Sequence, residues 1–342
     1  MFHQLKVAAI DELTDDSIAI TFEVPPRLQG DFAFEPGQHV VIGLEGSERR
    51  TYSLCTAPGS GQWQIGVKRL PGGAFSETRL STLRPGDSID VMTPSGSFGP
   101  RVTQQAHIGL LAAGSGITPL LSIARATLGG GAEVTLLYAN RAEQTVMFLE
   151  ELADLKDAYL DRFHLIHVLS RQQTESELLS GRLDGDRLKR ILGTLIDPDA
   201  IDAWYLCGPY DMVTELTSTL EAAGAHNVHT ELFHVEDAPP PPRPAEAFKD
   251  GGPAVTATLD GRTSSYALRQ EDDSVLAGLL RVRPEAPFAC RGGVCGTCRA
   301  KVIAGAVSMR HNYALEPEEV EAGYILTCQS WPTTPSVTLS YE

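Results

Sequence analysis

Four cysteines near the C-terminus, Cys290, Cys295, Cys298 and Cys328, constrain this chain more than any other feature. The first three follow the spacing C-x4-C-x2-C and the fourth comes after a long gap. Three thiols in so short a segment require one tight loop, whose glycines, Gly292, Gly293 and Gly296, let the backbone take positive φ and turn N–H groups toward sulfur. This is the spacing of a plant-type [2Fe-2S] site, where such donors stabilise the charge on the cluster and help set its potential. Four thiolates also suit zinc, but structural zinc draws on two short cysteine pairs, and Cys328 has no cysteine or histidine beside it. A disulfide framework is disfavoured by the start of the chain, Met1 to Lys6, which leads into an alternating strand and not a secretory leader. The expectation is a cluster held by these four ligands in a reducing cytoplasm.

A chain of 342 residues with 42% hydrophobic content can bury two or three separate cores. Its longest apolar run, Ile108 to Ala113, falls far short of the roughly eighteen residues a membrane span requires, so no membrane is expected. A formal net charge of −16 argues against a nucleic-acid partner, which leaves a basic footprint. One boundary stands out at Ala238-Pro239-Pro240-Pro241-Pro242-Arg243-Pro244, within a stretch from Val235 to Pro253 that is poor in core-forming residues. Proline runs adopt extended polyproline II at roughly 3.1 Å per residue. The segment is either a spacer that lets the cysteine-bearing part move between partners or a passive connector, and its composition suits both.

Upstream, short alternating segments at Ile18 to Val24, Gln38 to Leu44, Trp63 to Lys68 and Ser88 to Met92 are punctuated by Pro36-Gly37, Pro71-Gly72 and Pro85-Gly86. That pattern predicts a small antiparallel barrel. From His107 the rhythm changes to apolar strand, glycine loop and helix: Ile108 to Ala113, a helix over Thr118 to Leu128, Glu133 to Tyr138, a helix around Phe148 to Leu155, Phe163 to Leu169 and Ala203 to Leu206. Such alternation predicts a parallel sheet covered by helices. The expected architecture is multidomain, with an antiparallel β-barrel over 1–103, an α/β parallel-sheet domain over 104–234, a proline-rich linker over 235–253 and the cysteine domain over 254–342.

In the barrel, Arg50-Thr51-Tyr52-Ser53 puts Arg50 and Tyr52 on one strand face, offering a cation to a pyrophosphate and a ring to a flavin, with Ser53 turned toward a polar edge. A surface strand carries such residues without any ligand just as readily. Two further pieces add weight. Gly72-Gly73-Ala74-Phe75-Ser76 joins a glycine turn to a helix start, where free N–H groups and a hydroxyl suit phosphate, and Ser95-Gly96-Ser97-Phe98-Gly99 makes a second tight turn. Further on, Gly114-Ser115-Gly116-Ile117-Thr118-Pro119 follows a buried strand and opens a helix, so its N–H groups face a pyrophosphate, or its glycines serve only to pack strand against helix. It departs from the G-x-G-x-x-G of an ordinary dinucleotide-binding dehydrogenase. Cys207-Gly208-Pro209 ends another strand.

Taken in order, these segments resemble the ferredoxin-NADP reductase superfamily over residues 1 to 234, and the cysteine domain resembles a plant-type ferredoxin of β-grasp fold. The fusion is similar to the oxygenase reductases. The resemblance implies a flavin domain with FAD held by Arg50, Tyr52, Ser53, Val67, Lys68, Gly73, Phe75 and Ser76, and a nicotinamide domain using Gly114, Gly116, Thr118, Pro119, Cys207 and Gly208. It sets Cys207 beside the nicotinamide to align hydride transfer and not as a nucleophile, places Ser53 on the flavin side, and makes Glu231 a proton relay with Phe233 near the flavin ring. Arg141, Ser170, Arg171 and Arg182 match positions where NADP-dependent relatives grip the 2′-phosphate, so NADPH is expected. One charge-assisted hydrogen bond, roughly 1.5–3 kcal/mol, would favour NADPH by roughly 10- to 150-fold. Electrons would pass from NADPH to FAD to [2Fe-2S], because a hydride carries two electrons, the cluster accepts one and a flavin handles both.

Gly181-Arg182-Leu183-Asp184-Gly185-Asp186, Asn312 to Glu319 and Ala322-Gly323-Tyr324 resemble the reductases of phenylacetate degradation. That likeness implies a di-iron phenylacetyl-CoA oxygenase component as partner. The alternatives are the reductase of a 3-ketosteroid 9α-hydroxylase or other ring-hydroxylating oxygenase, and a redox-sensing electron carrier, for which no DNA-reading segment speaks. Cys55 reads as a small buried residue, and His226, His229 and His234 lack a metal-binding arrangement.

Overall fold

The computed structural model describes residues 2–44, 48–70, 72–100, 106–233 and 252–341. Residues 2–233 form one compact unit, and residues 252–341 belong to a second. Pro71, His234, the expected boundary at 103/104 and all of the proline-rich linker but its last two residues lie outside the described residues.

The first unit begins with an antiparallel sheet of β1 (Phe2–Thr14), β2 (Ser17–Glu23), β3 (His39–Gly43), β4 (Arg49–Ser53), β5 (Trp63–Lys68) and β6 (Ser88–Met92). The strand order is β4-β3-β6-β1-β2-β5, and a bridge between Leu54 and Ile65 joins the two edges into the expected barrel. The alternation seen in the sequence is the pleat: Ile18, Ile20 and Phe22 of β2 point inward with Val40, Ile42, Ile65 and Val67. Each such side chain contributes about 1.5–3 kcal/mol when fully buried. Gly37 and Gly99 let two turns meet backbone to backbone, since a Cβ on Gly37 would fall 1.5 Å from the Phe98 carbonyl oxygen.

The α/β part has β7 (His107–Ala113), α1 (Ile117–Gly129), β8 (Glu133–Asn140), α2 (Leu149–Ala158), β9 (Phe163–Leu169), α3 (Gly185–Leu192), β10 (Ala203–Gly208), α4 (Tyr210–Ala222) and β11 (Val228–Leu232). All four strand pairs are parallel, in the order β11-β10-β7-β8-β9. The order reverses between β7 and β10, so the connections leaving those strands diverge and open a crevice at their carboxyl ends. Helix α1 is buried almost all round because it lies between this sheet and the barrel. Its Arg125 Nη1 donates to the Cys55 carbonyl at 2.8 Å, and Ser122 Oγ donates to the Thr56 carbonyl at 2.8 Å.

In the second unit, β12 (Ala254–Leu259), β13 (Arg262–Ala267), α5 (Val275–Val282), β14 (Arg299–Ala304), β15 (Val307–Met309), α6 (Pro317–Glu321), β16 (Tyr324–Leu326), β17 (Ser330–Pro332) and β18 (Ser336–Ser340) follow in order. A mixed sheet, β13-β12-β18-β14-β16, with β12 and β18 parallel, packs on α5, which is the β-grasp arrangement. Ser274 caps α5 by accepting from Ala277 N, Val275 and Leu279 pack in the sheet core, and Leu276 packs with Phe288, Cys298 and Cys328. The cysteine loop spans the connection from α5 to β14, and Cys328 lies between β16 and β17.

Candidate functional site

At the crevice, the strand-to-helix turn Gly114–Gly116 after β7 lies against the end of β10. A Cβ on Gly116 would come within 2.0 Å of the Cys207 carbonyl oxygen, so only glycine allows this approach. Gly114 has φ +53 with open space beside it, and Tyr138 Oη donates to its carbonyl at 2.9 Å. Gly116 thus serves packing, while Gly114 leaves open space beside a half-buried backbone. Thr118 and Pro119 are buried in the first turn of α1. The Thr118 hydroxyl donates to the Ser115 carbonyl at 3.0 Å and its methyl packs on the barrel. Both side chains are taken up in packing, so a nucleotide could be met here only through backbone.

The three expected catalytic residues converge from three strands. Cys207 on β10 is in register with Glu231 on β11, and the Ser53 hydroxyl at the end of β4 faces the Glu231 carboxyl. Burial pushes the Glu231 carboxyl up to about 8, with the Ser53 hydrogen bond holding back part of the rise. Its Oε2 is shut off from solvent without a hydrogen-bond partner among the described residues. Burial, and then the Glu231 charge, push the Cys207 thiol well above its ordinary value, so it stays neutral and is no nucleophile. Phe233, directly after β11, is 40% exposed. At the end of β10, a Cβ on Gly208 would lie 2.8 Å from Met212 Cε.

On the barrel, Arg50 is exposed and bonds to Glu48, and Tyr52 packs on Phe75 with ring centroids 5.3 Å apart. A single π-helical turn, Ala74–Arg79, follows Gly73. Ser76 is buried with its oxygen accepting Leu70 N at 3.2 Å, which leaves its proton to donate. The rings and methyls of Phe75 and Val67 are core, 1% and 0% exposed, so these two positions offer backbone alone. A cavity of about 620 Å³ opens beside this turn, lined in part by Leu44, Glu48, Phe75 and Arg79.

The residues expected at the 2′-phosphate divide. Ser170, Arg171 and Arg182 are exposed and adjacent, because Leu169 bridges Ser180 and Gly181 N donates to the Leu169 carbonyl at 2.9 Å. Arg141 is tied elsewhere: its Nη2 lies 3.1 Å from Asp16 Oδ2 in the β1–β2 turn, where Lys68 Nζ also binds at 3.3 Å. Arg141, expected at the 2′-phosphate, is thus ion-paired to Asp16, and Lys68 is in the same cluster. Asp16 had no local signal in the sequence. Gly66 had one, a glycine inside a strand of β-formers, and it marks a close approach: its Cβ would fall 2.7 Å from Thr118 Cγ2 and 2.9 Å from Phe148 Cε2.

In the second unit, hydrogen bonds from Cys295 and from the Val294, Gly292 and Cys295 backbone pull the Cys290 thiol down to about 6 against burial. Those backbone N–H groups of Gly292, Val294 and Cys295 face the Cys290 sulfur in a loop with φ +56 at Arg291, +82 at Gly293 and +65 at Gly296. The four thiols make two pairs, Cys290 with Cys295 and Cys298 with Cys328. These four thiols are the donors that would hold a 2Fe-2S group. Gln329 and Thr327, on either side of Cys328, were missed: Thr327 Oγ1 donates to the Cys298 carbonyl at 2.9 Å and receives the Tyr341 hydroxyl at 2.9 Å.

Comparisons with known proteins agree with this anatomy. Residues 4–99 match the oxidoreductase FAD-binding domain, 110–217 the oxidoreductase NAD-binding domain and 257–333 the 2Fe-2S iron-sulfur cluster binding domain. The chain is 39% identical to a component protein of the 1,2-phenylacetyl-CoA epoxidase of Escherichia coli (strain K12), covering 100% of this chain and 98% of that protein. It is 34% identical to the ferredoxin reductase component of 3-ketosteroid-9-alpha-monooxygenase from Mycobacterium tuberculosis, over 99% of this chain and 96% of the relative. Phthalate dioxygenase reductase shares the fold, with a TM-score of 0.59 at 22% identity over 99% of this chain and 98% of that structure. The chain therefore belongs to the family of oxygenase reductases that combine FAD-binding, NAD-binding and 2Fe-2S domains in one electron-transferring polypeptide.

Proposed function

We propose that this protein is the NADPH-dependent reductase of a di-iron oxygenase acting on phenylacetyl-CoA. The observation that carries the reading is full-length similarity to the epoxidase component, with all four cysteines and the Ser53, Cys207, Glu231 cluster in place. FAD, when bound, converts a two-electron donor into the single-electron steps a 2Fe-2S group accepts. Arg50, Ser76 and the cavity beside the π turn suit the pyrophosphate and the further half of FAD. Cys207 and Ser53 shape the face on which the nicotinamide would lie. Glu231, protonated at neutral pH, holds a proton that Ser53 can relay. Ser170, Arg171 and Arg182 form the proposed 2′-phosphate grip, and the six free cysteines fit a reducing cytoplasm.

The test is NADPH oxidation by the purified holoprotein with the di-iron oxygenase, scored by consumption of phenylacetyl-CoA. Tight coupling supports the reading. Rapid flavin and cluster reduction without product would move the partner to a 3-ketosteroid 9α-hydroxylase, the reading favoured by the 34% identical relative. Equal turnover of NADH at equal concentration would remove the NADPH preference.

A further inference from the structure

We propose that the side-chain amide of Gln329 tunes the iron-sulfur cluster by donating one N–H to the Cys328 sulfur while its other N–H holds the ligand loop at Arg291. Gln329 is 4% exposed. Its Nε2 lies 3.6 Å from Cys328 Sγ, within hydrogen-bond reach of sulfur, and 2.5 Å from the Arg291 carbonyl oxygen. An amide nitrogen carries two hydrogens, so both bonds are made at once. The second has work to do, because Arg291 is a non-glycine residue at φ +56, a conformation that persists only where the surroundings hold it.

The amide is itself held in place. Gln329 N donates to the Leu326 carbonyl at 2.9 Å, and the Gln329 carbonyl accepts Arg310 N at 2.9 Å. Gly293 gives it room, since a Cβ there would lie 3.1 Å from Gln329 Cγ. Gln329 is thus a positioning residue that joins the three-ligand loop to the fourth ligand. An added electron makes the cluster sulfurs more negative, so an N–H donor stabilises the reduced form more than the oxidised form and raises the potential.

The inference rests on the cluster reading of the four cysteines, and iron and acid-labile sulfide in the unaltered protein test that reading separately. The experiment is a spectroelectrochemical titration of the full-length holoprotein and its Gln329→Leu variant. At the native midpoint the reduced-to-oxidised ratio of the variant cluster should be about tenfold lower, a negative shift of about 59 mV for one electron. An unchanged potential in a variant with full iron and sulfide overturns the proposal, even if the variant loses its cluster faster to a chelator. A second measurement needs no variant: with glutamine side-chain nitrogens labelled as 15N, the reduced cluster of the native protein should show a 15N hyperfine coupling. Its absence also overturns the proposal.

Discussion

In the unit over residues 2–233, the groups that meet at the site, Ser53, Cys207 and Glu231, come from β4, β10 and β11 and are joined only by the fold. In the unit over 252–341, three of the four candidate cluster ligands come from a single loop and the fourth from a neighbouring connection. The first site depends on long-range packing at a few glycines, the second on local backbone geometry. The difference teaches where each is fragile: a backbone displacement should disable the first, and loss of one sulfur the second, each without harm to the other.

The largest expected effect is that of Cys298→Ser. Electron delivery to a one-electron acceptor such as a cytochrome should be lost, while flavin bleaching by NADPH, followed by stopped-flow absorbance, keeps its native rate. Next comes Gly116→Ala. The added Cβ, 2.0 Å from the Cys207 carbonyl oxygen, must push apart the ends of β7 and β10. A misplacement of about 1 Å can cost about 100-fold, and flavin reduction should fall by that order while iron content is unchanged.

Glu231→Gln gives a smaller and pH-dependent effect. A carboxyl raised to about 8 binds its proton more tightly in the folded state, so stability is greatest below its unfolded pKa and declines as pH rises toward about 8. The variant should lack this decline, seen as a Tm difference that grows in its favour with pH, and flavin reduction should lose its alkaline limb near about 8. Smallest is Asp16→Ala. Its bonds to Lys68 and Arg141 are near the surface, worth at most about 1 kcal/mol. Stability should hardly change, but freeing Arg141 should raise the NADPH-to-NADH preference, measured as the ratio of kcat/KM values.

Much of this is legible in the sequence, for physical reasons that differ by element. The strands Trp63–Lys68, Ser88–Met92 and Phe163–Leu169 match the sequence pattern to the residue because alternation or apolar runs bounded by turn residues mark them directly. The 2Fe-2S domain is readable because coordination dictates cysteine spacing. Helix α3 is marked as well, by its capping Asp184 and by Leu188, Ile191 and Leu192 at helical spacing, and α4 packs on the flanking strands β10 and β11. The charge of Arg141 suits a phosphate whether or not an aspartate from the β1–β2 turn is near, and only the fold brings Asp16 to it. Phe75, Val67 and Thr118 are expected at the cofactors from their motifs, but their side chains serve packing and leave only backbone to offer.

The most direct test of the account is anaerobic mixing of the full-length holoprotein with NADPH, with the flavin and cluster absorbances followed separately in native and Cys298→Ser protein. The account predicts that both bands bleach in the native protein, the flavin first, and that the flavin bleaches at the same rate in the variant. Cluster bleaching ahead of the flavin, or loss of flavin bleaching in Cys298→Ser, would contradict it.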